Sequence, residues 1–312
     1  MTWNGFASST SGPGAPAGTG CAMAHHGELL QGMFLGPGAL PIRGLVTLPC
    51  QLYRSQAEFR PSSEPEVQVD PSWKWKARHA AELTLAHIGA EGTGGTLRLD
   101  STIPIGWGMG SSTSDVIAAI RATADGHGIT LATVEVARLA VAAETASDSI
   151  MFGDEALLFA QRDALVIEDF GTRFPSFEVL GFAAGSGVDT LEFTPAEYDD
   201  RDIARFEELR LLLREGMRDH DPALVGYVAT ASARINQRFL PKPEFDRLLS
   251  LADNCGAAGV QVAHSGSVIG LLFNGDDAAV EGRIEKAAAG VGELGFGPTW
   301  RFSTRLRASE PS

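Results

Sequence analysis

Apolar and polar positions along the chain fall into segments of two periods. From Gly44 to Phe59, GLVTLPCQLYRSQAEF mixes β-branched and aromatic residues with partial alternation, which predicts one long strand or a bent pair. Residues 73–90 have helical spacing, and 96–104 (TLRLDSTIP) alternates as a strand before a loop containing Gly106, Gly108 and Gly110. Apolar residues three and four apart over 111–127 and 131–145 predict two successive helices, parted by Gly128. Strands are expected at 156–160, 163–168, 177–183 and 188–193. The pattern then changes to helices at 200–217, 222–239 and 243–254, a strand pair within 258–273, a helix from 276 and a last strand at 297–305. That change places a domain boundary near 180, dividing 21–180 from 181–312. Residues 1–20 are rich in Gly, Ser, Pro and Ala, offer little to bury, and read as a mobile tail outside the fold.

Composition narrows the classes. With 312 residues, 44% hydrophobic and 21% charged, the chain can build a core and has the size of two domains. No apolar run approaches the roughly 20 residues needed to span a bilayer. The N-terminus lacks the basic start and apolar centre of a secretion signal, so a cytoplasmic protein without a membrane partner is expected. Against 39 acidic residues stand 25 Lys and Arg, a net charge of −14, which excludes a non-specific electrostatic grip on nucleic acid. Only Lys74, Lys76, Lys242 and Lys286 are lysines, so an anionic ligand must lean on Arg, backbone N–H groups or a metal. Cys21, Cys50 and Cys255 show no CxxC spacing, which argues against a zinc site or disulfide scaffold and suits a reducing compartment.

The most informative segment is Pro104-Ile105-Gly106-Trp107-Gly108-Met109-Gly110-Ser111-Ser112-Thr113-Ser114-Asp115. Alternate glycines let the backbone approach a bulky ligand, and the following helix presents unpaired N–H groups with about half a positive charge. This pattern reads as a phosphate cradle, although glycine-rich turns before serine-capped helices also occur without a ligand. The serines and threonine can cap the helix N–H groups, and a serine hydroxyl there can also reach Mg²⁺ carried on phosphates. The chain has no Gly-Lys pair, which excludes a P-loop, and G-x-G-x-G is not the G-x-G-x-x-G dinucleotide fingerprint. Asp169-Phe170-Gly171 spells a protein-kinase motif, but no HRD or VAIK segment accompanies it.

The P-x-x-x-G-M-G-S-S-T stretch resembles the second motif of the GHMP kinases, the family of galactokinase, homoserine kinase and mevalonate kinase. Ala24-His25-His26-Gly27-Glu28-Leu29-Leu30-Gln31-Gly32 resembles the first motif, in the variant of the L-threonine kinases of cobalamin biosynthesis. Gly256 to Phe273, with Ala263-His264-Ser265-Gly266 inside it, is similar to the third motif of that subgroup, and Ser232-Ala233-Arg234-Ile235-Asn236-Gln237 and Leu240-Pro241-Lys242-Pro243 to its linking helix and turn. The resemblance implies an α+β, two-lobed fold, with an N-terminal lobe like ribosomal protein S5, a ferredoxin-like C-terminal lobe, and ATP and substrate between them. It implies transfer of the ATP γ-phosphate to an alcohol, here the side-chain hydroxyl of a small amino acid, L-threonine first; another hydroxylated amino acid, an amino alcohol or a silent sensor are the alternatives. A homodimer is compatible with it.

By the same resemblance the phosphates of ATP lie on Gly106, Gly108, Met109, Gly110, Ser111, Ser112 and Thr113. Asp148 takes the position of the catalytic Asp, Glu144 that of the Mg²⁺-binding Glu, and Ser112, or Ser111, that of the hydroxyl metal partner. Glu144 and Asp148 are four apart, which puts both carboxylates on one face if the helix continues. Acidic residues at a helix end also serve simply as solvated surface. His26, Glu28, Gln31, His264 and Ser265 are the expected substrate residues. Glu28 either binds a substrate ammonium, supports its motif or sits at a strand boundary, and His25-His26 read as a packed or hydrogen-bonded pair near substrate rather than a metal site. The sequence departs from the subgroup in His25-His26, in Trp107 where a Lys is usual, which places a large ring beside the phosphates, and in a Glu144 displaced by one residue relative to Asp148.

Overall fold

The computed structural model describes residues 16–185 and 196–305, in which ten strands and seven helices are formed. The expected strand at 188–193 lies outside the described residues. Two long strands, β1 (Gly18–Leu35) and β2 (Pro41–Ser62), pair antiparallel over nearly their whole length, from Gly18 opposite Phe59 to Leu35 opposite Pro41. The stretch 1–20 is therefore not wholly tail: Gly18 to Gly20 already form sheet. Then follow β3 (Val67–Asp70), α1 (Trp75–His87), β4 (Gly94–Ser101), α2 (Ser111–Asp125) and α3 (Thr133–Glu144). A short 3-10 turn (Ser149–Phe152) leads to β5 (Glu155–Ala160), β6 (Leu165–Arg173) and β7 (Phe177–Ala183). The chain continues through α4 (Asp200–Arg218), α5 (Pro222–Asn236), α6 (Phe245–Asn254), β8 (Gly259–Val262), β9 (Val268–Asn274), α7 (Val280–Glu293) and β10 (Trp300–Ser303).

One sheet runs through both halves in the order β10-β7-β9-β8-β1-β2-β4-β3, with β5 pairing β2 and β6. The halves meet where Glu28 of β1 lies opposite Val262 of β8, next to irregularities in the β1–β2 register at His25/Glu28 and Glu28/Leu30. A bulge turns a strand and re-aims its side chains, so the first-motif residues change face at the seam between the halves. Although β7 precedes residue 180, it lies between β9 and β10. Its Leu180 and Phe182 join a core with α6, α7, β8 and β9. Phe177 and Val179, on the other face of β7, join the core shared with β1, β2, α4 and α5, so this strand packs against both halves.

In the first half α2 packs on β1 and β2 and is buried along most of its length. Its run of Ala and β-branched residues suits a helix with apolar neighbours on nearly every side. Among the described residues no helix is long and apolar enough to cross a membrane.

Candidate active site

A cavity of about 800 Å³ opens along the seam. One wall is the glycine loop. Gly106, Gly108 and Gly110 all have positive φ, between +73° and +78°, and Gly108 and Gly110, Met109, Ser111, Ser112 and Thr113 line the cavity with Gly106. A Cβ on Gly110 would meet His25 Cδ2 at 2.4 Å, and one on Gly266 would meet Gly108 Cα at 2.2 Å. The loop is thus seated against both β1 and the turn after β8. Two backbone bonds complete that seat, Ser267 and Val268 N–H donating to Trp107 O, both at 3.0 Å.

The hydroxyls after the loop do not cap α2. Gly110 is the residue before the helix and no side chain caps it. Instead Ser112 Oγ donates to Glu144 Oε2 at 2.9 Å, Thr113 Oγ1 to Glu144 Oε1 at 2.7 Å, and Ser114 Oγ to Met23 O at 2.9 Å. The expected capping is corrected by position: Gly110, which has no side chain, stands at the cap, the hydroxyls lie inside the helix and donate elsewhere, and no side chain covers the first N–H groups of α2.

Glu144 and Asp148 both line the cavity, but not as one helical face. The helix stops at Glu144, Thr145 is left-handed with φ 71°, and Asp148 precedes the 3-10 turn. Ser147 N–H donating to Gln161 O at 2.9 Å fixes that loop. Burial pushes the Glu144 carboxyl up to about 7, opposed by the Thr113 and Ser112 hydroxyls and by Lys76, whose Nζ is 3.9 Å from Oε2. Asp148 is partly buried, which alone would raise its carboxyl, but His25 Nε2 at 2.9 Å overrules that and holds it below its ordinary value. The same pair works on His25: burial would lower its pKa, yet the Asp148 and Glu28 carboxylates hold it up at about 9.

His25 and His26 part company at the bulge. His25 lines the cavity, its ring between Asp148 and Glu28 and its N–H on Met109 O at 3.2 Å. His26, the expected substrate residue, does not line it; Nδ1 pairs with Gln261 Oε1 at 2.9 Å and the ring packs on Trp300 and Phe302. Burial drives its pKa down to about 4, so it stays neutral. Sequence adjacency put both near substrate, but on a strand neighbouring side chains face opposite ways. Glu28 lines the cavity and accepts from His264 N–H at 2.9 Å, with His264 Nδ1 at 3.1 Å. Gln31, His264 and Ser265 also line it. His25, Glu28 and Asp148 are close enough to enclose a cation, and His25 Nε2 is paired with Asp148 Oδ2.

Trp107 does not lie beside the loop's open face. Its ring stacks on Trp300 at 5.1 Å and 22°, and it is absent from the cavity wall. Positive charge comes instead from Lys74 and Lys76 at the start of α1, which line the cavity. Lys74 Nζ is 2.5 Å from Asp115 Oδ2, whose other oxygen accepts from Ser55 Oγ at 2.6 Å. The alternation Trp73-Lys74-Trp75-Lys76 was the available signal for this wall, with both tryptophans more than half exposed. Arg43, Tyr198 and Asn236 are further lining residues that the sequence reading missed.

A glycine cradle, an open helix N-terminus, two differently tuned carboxylates and lysines around one cleft define a small-molecule phosphotransferase. Comparisons with known proteins agree. Residues 76–154 match the GHMP kinases N terminal domain and 213–288 the GHMP kinases C terminal domain. The chain is 32% identical over 262 residues to an L-threonine kinase of Salmonella typhimurium, covering 80% of each, and 29% identical over 255 residues to an L-threonine kinase of Citrobacter freundii, covering 80% of this chain and 83% of that one. A crystal structure of homoserine kinase from Cytophaga hutchinsonii shares the fold at TM-score 0.68 and 17% identity, over 97% of this chain and 98% of that one. The chain belongs to the GHMP kinase family and is an ATP-dependent kinase.

Proposed function

We propose that this kinase phosphorylates the side-chain hydroxyl of L-threonine, giving O-phospho-L-threonine. The observation that carries the reading is the line Asp148–His25–Glu28–His264 along one wall of the cavity, next to the open N-terminus of α2. The names of the Salmonella and Citrobacter relatives support L-threonine as acceptor. The cobalamin-related role of the resembled subgroup and a cytoplasmic setting extend the same reading, the latter supported by Cys21, Cys50 and Cys255 all being free thiols.

In the proposed mechanism the loop backbone and the α2 N–H groups hold the phosphates of ATP, with Lys74 and Lys76 balancing their charge. Glu144 and Ser112 fit Mg²⁺: a carboxylate and a hydroxyl 2.9 Å apart are hard oxygen donors, and Mg²⁺ takes few protein ligands. When bound, Mg²⁺ neutralises phosphate charge. His25 keeps Asp148 ionised and aimed into the cavity. Asp148 accepts the hydrogen bond of the acceptor hydroxyl, whose oxygen bonds to the γ-phosphorus as the bond to the ADP oxygen breaks, and receives its proton. A loose phosphoryl transfer asks more for orientation than for a strong base, which suits a carboxylate of lowered basicity.

The test is ADP release from Mg-ATP with L-threonine, L-serine and L-homoserine, with product mass determined. Threonine-dependent turnover giving O-phosphothreonine is expected; turnover only with another acceptor would reassign the substrate, and ATP binding without turnover would contradict the reading.

A further inference from the structure

Part of the cavity lining is polar in a way the phosphate chemistry does not use. Asn236, the last residue of α5, lines the cavity and is 3% exposed, and its Nδ2 has no hydrogen-bond partner. Leaving a buried amide N–H₂ unpaired is unfavourable, so its retention calls for a ligand acceptor. Its end of α5 is tied to the turn that carries His264 and Ser265: the side chain of the neighbouring Gln237 accepts from Lys242 N–H at 2.6 Å, and Lys242 Nζ donates to Gly266 O at 2.5 Å in that turn.

Arg43 lines the same cavity. Its guanidinium lies 5.6 Å from the ring of Tyr198, which meets Phe239 at 5.3 Å, and Phe239 N–H donates to Asn236 O at 2.9 Å. Arg43 makes no ion pair among the described residues; Nη2 donates to Ala196 O at 2.6 Å, which leaves donors over. Glu28 lines the same cavity and presents a carboxylate. The cavity therefore offers a cation and an unpaired amide donor together with an acceptor of negative charge.

We infer that Asn236 and Arg43 bind the α-carboxylate of the substrate while Glu28 faces its α-ammonium, so that the enzyme selects a free α-amino acid and rejects the corresponding amide or amino alcohol. This rests on the kinase reading above and sharpens it, because an amino alcohol has the same reacting hydroxyl and ammonium but nothing for Asn236 and Arg43 to hold. Charge-assisted hydrogen bonds formed in a closed site are the stronger kind, and an acceptor lacking the anion leaves buried donors unpaired.

The test compares L-threonine with L-threoninamide and 1-aminopropan-2-ol as acceptors for the full-length wild type, Asn236→Asp and Arg43→Gln. Wild type is expected to favour threonine by about 100-fold or more in kcat/KM. Each variant should lose about tenfold or more of that preference through a raised KM for threonine, with the amide nearly unaffected. Equal use of threonine and threoninamide by wild type would overturn the assignment and leave the kinase reading standing. Equal loss on both acceptors in the variants, the mark of a merely structural role, would overturn it too. Silence of wild type on every acceptor would contradict the kinase reading itself and this assignment with it.

Discussion

Glu144 at the end of α3, its side chain buried, and Asp148 just before the 3-10 turn, partly buried, stand four residues apart and face the same cavity, yet their surroundings drive them in opposite directions. Glu144 is met by two neutral hydroxyls and a lysine nitrogen 3.9 Å away, and burial pushes it up to about 7. Asp148 is met by the imidazole of His25 at 2.9 Å and is held down despite burial. Hydroxyls solvate a carboxylate without cancelling its charge, whereas an adjacent cation cancels it. One carboxylate is thus short of positive charge, as a cation ligand should be, and the other is already neutralised, as a group that orients a hydroxyl should be.

Asp148→Asn tests that division most severely: turnover should fall by about 10³-fold while ATP binds within about threefold of wild type. Steady-state kinetics beside calorimetric ATP binding measures both. Glu144→Gln should lower kcat/KM by about 100-fold, partly recovered at high Mg²⁺, since a neutral amide is a poorer cation ligand. His25→Gln should cost about tenfold in kcat by loosening Asp148. It also carries a stability signature. The folded pKa of His25, about 9, lies above its ordinary 6.5, so its contribution is full below 6.5 and is lost as pH rises through about 9. Asp148 is depressed below its ordinary 3.8, so its contribution is present above 3.8 and is lost as pH falls through the lower folded value. Thermal melts of wild type and His25→Gln should differ most between these limits and converge above about pH 9. Trp107→Leu is the smallest: because the ring stacks on Trp300 and not on the cavity wall, KM for ATP should stay within about threefold of wild type while Tm drops.

The place of the glycine loop in the cavity wall was legible because its signal is local: alternate glycines, then hydroxyls, then an apolar helix. So was the pair Glu144 and Asp148, although the sequence put them on one helical face and the left-handed Thr145 turned the chain instead. What the hydroxyls of Ser112 and Thr113 would do was not legible, since it depends on Glu144 arriving from the next helix. β1 escaped the hydrophobic pattern because it is buried on both faces around its centre and interrupted by glycine and two histidines. Which histidine faces the cavity is set by the register shift between His25 and Glu28, which no periodicity announces. Lys74, Arg43 and Asn236 reach the cavity from three separate elements, and only the folded sheet brings them together.

The most direct measurement is the Mg²⁺ dependence of ATP binding in Glu144→Gln and Asp148→Asn, side by side with wild type, by calorimetry at neutral pH. The account predicts that Glu144→Gln needs about tenfold more Mg²⁺ and that Asp148→Asn stays within about twofold of wild type. An unchanged Mg²⁺ requirement in Glu144→Gln, or equal shifts in both variants, would contradict the separation of a cation ligand from a hydroxyl-orienting carboxylate.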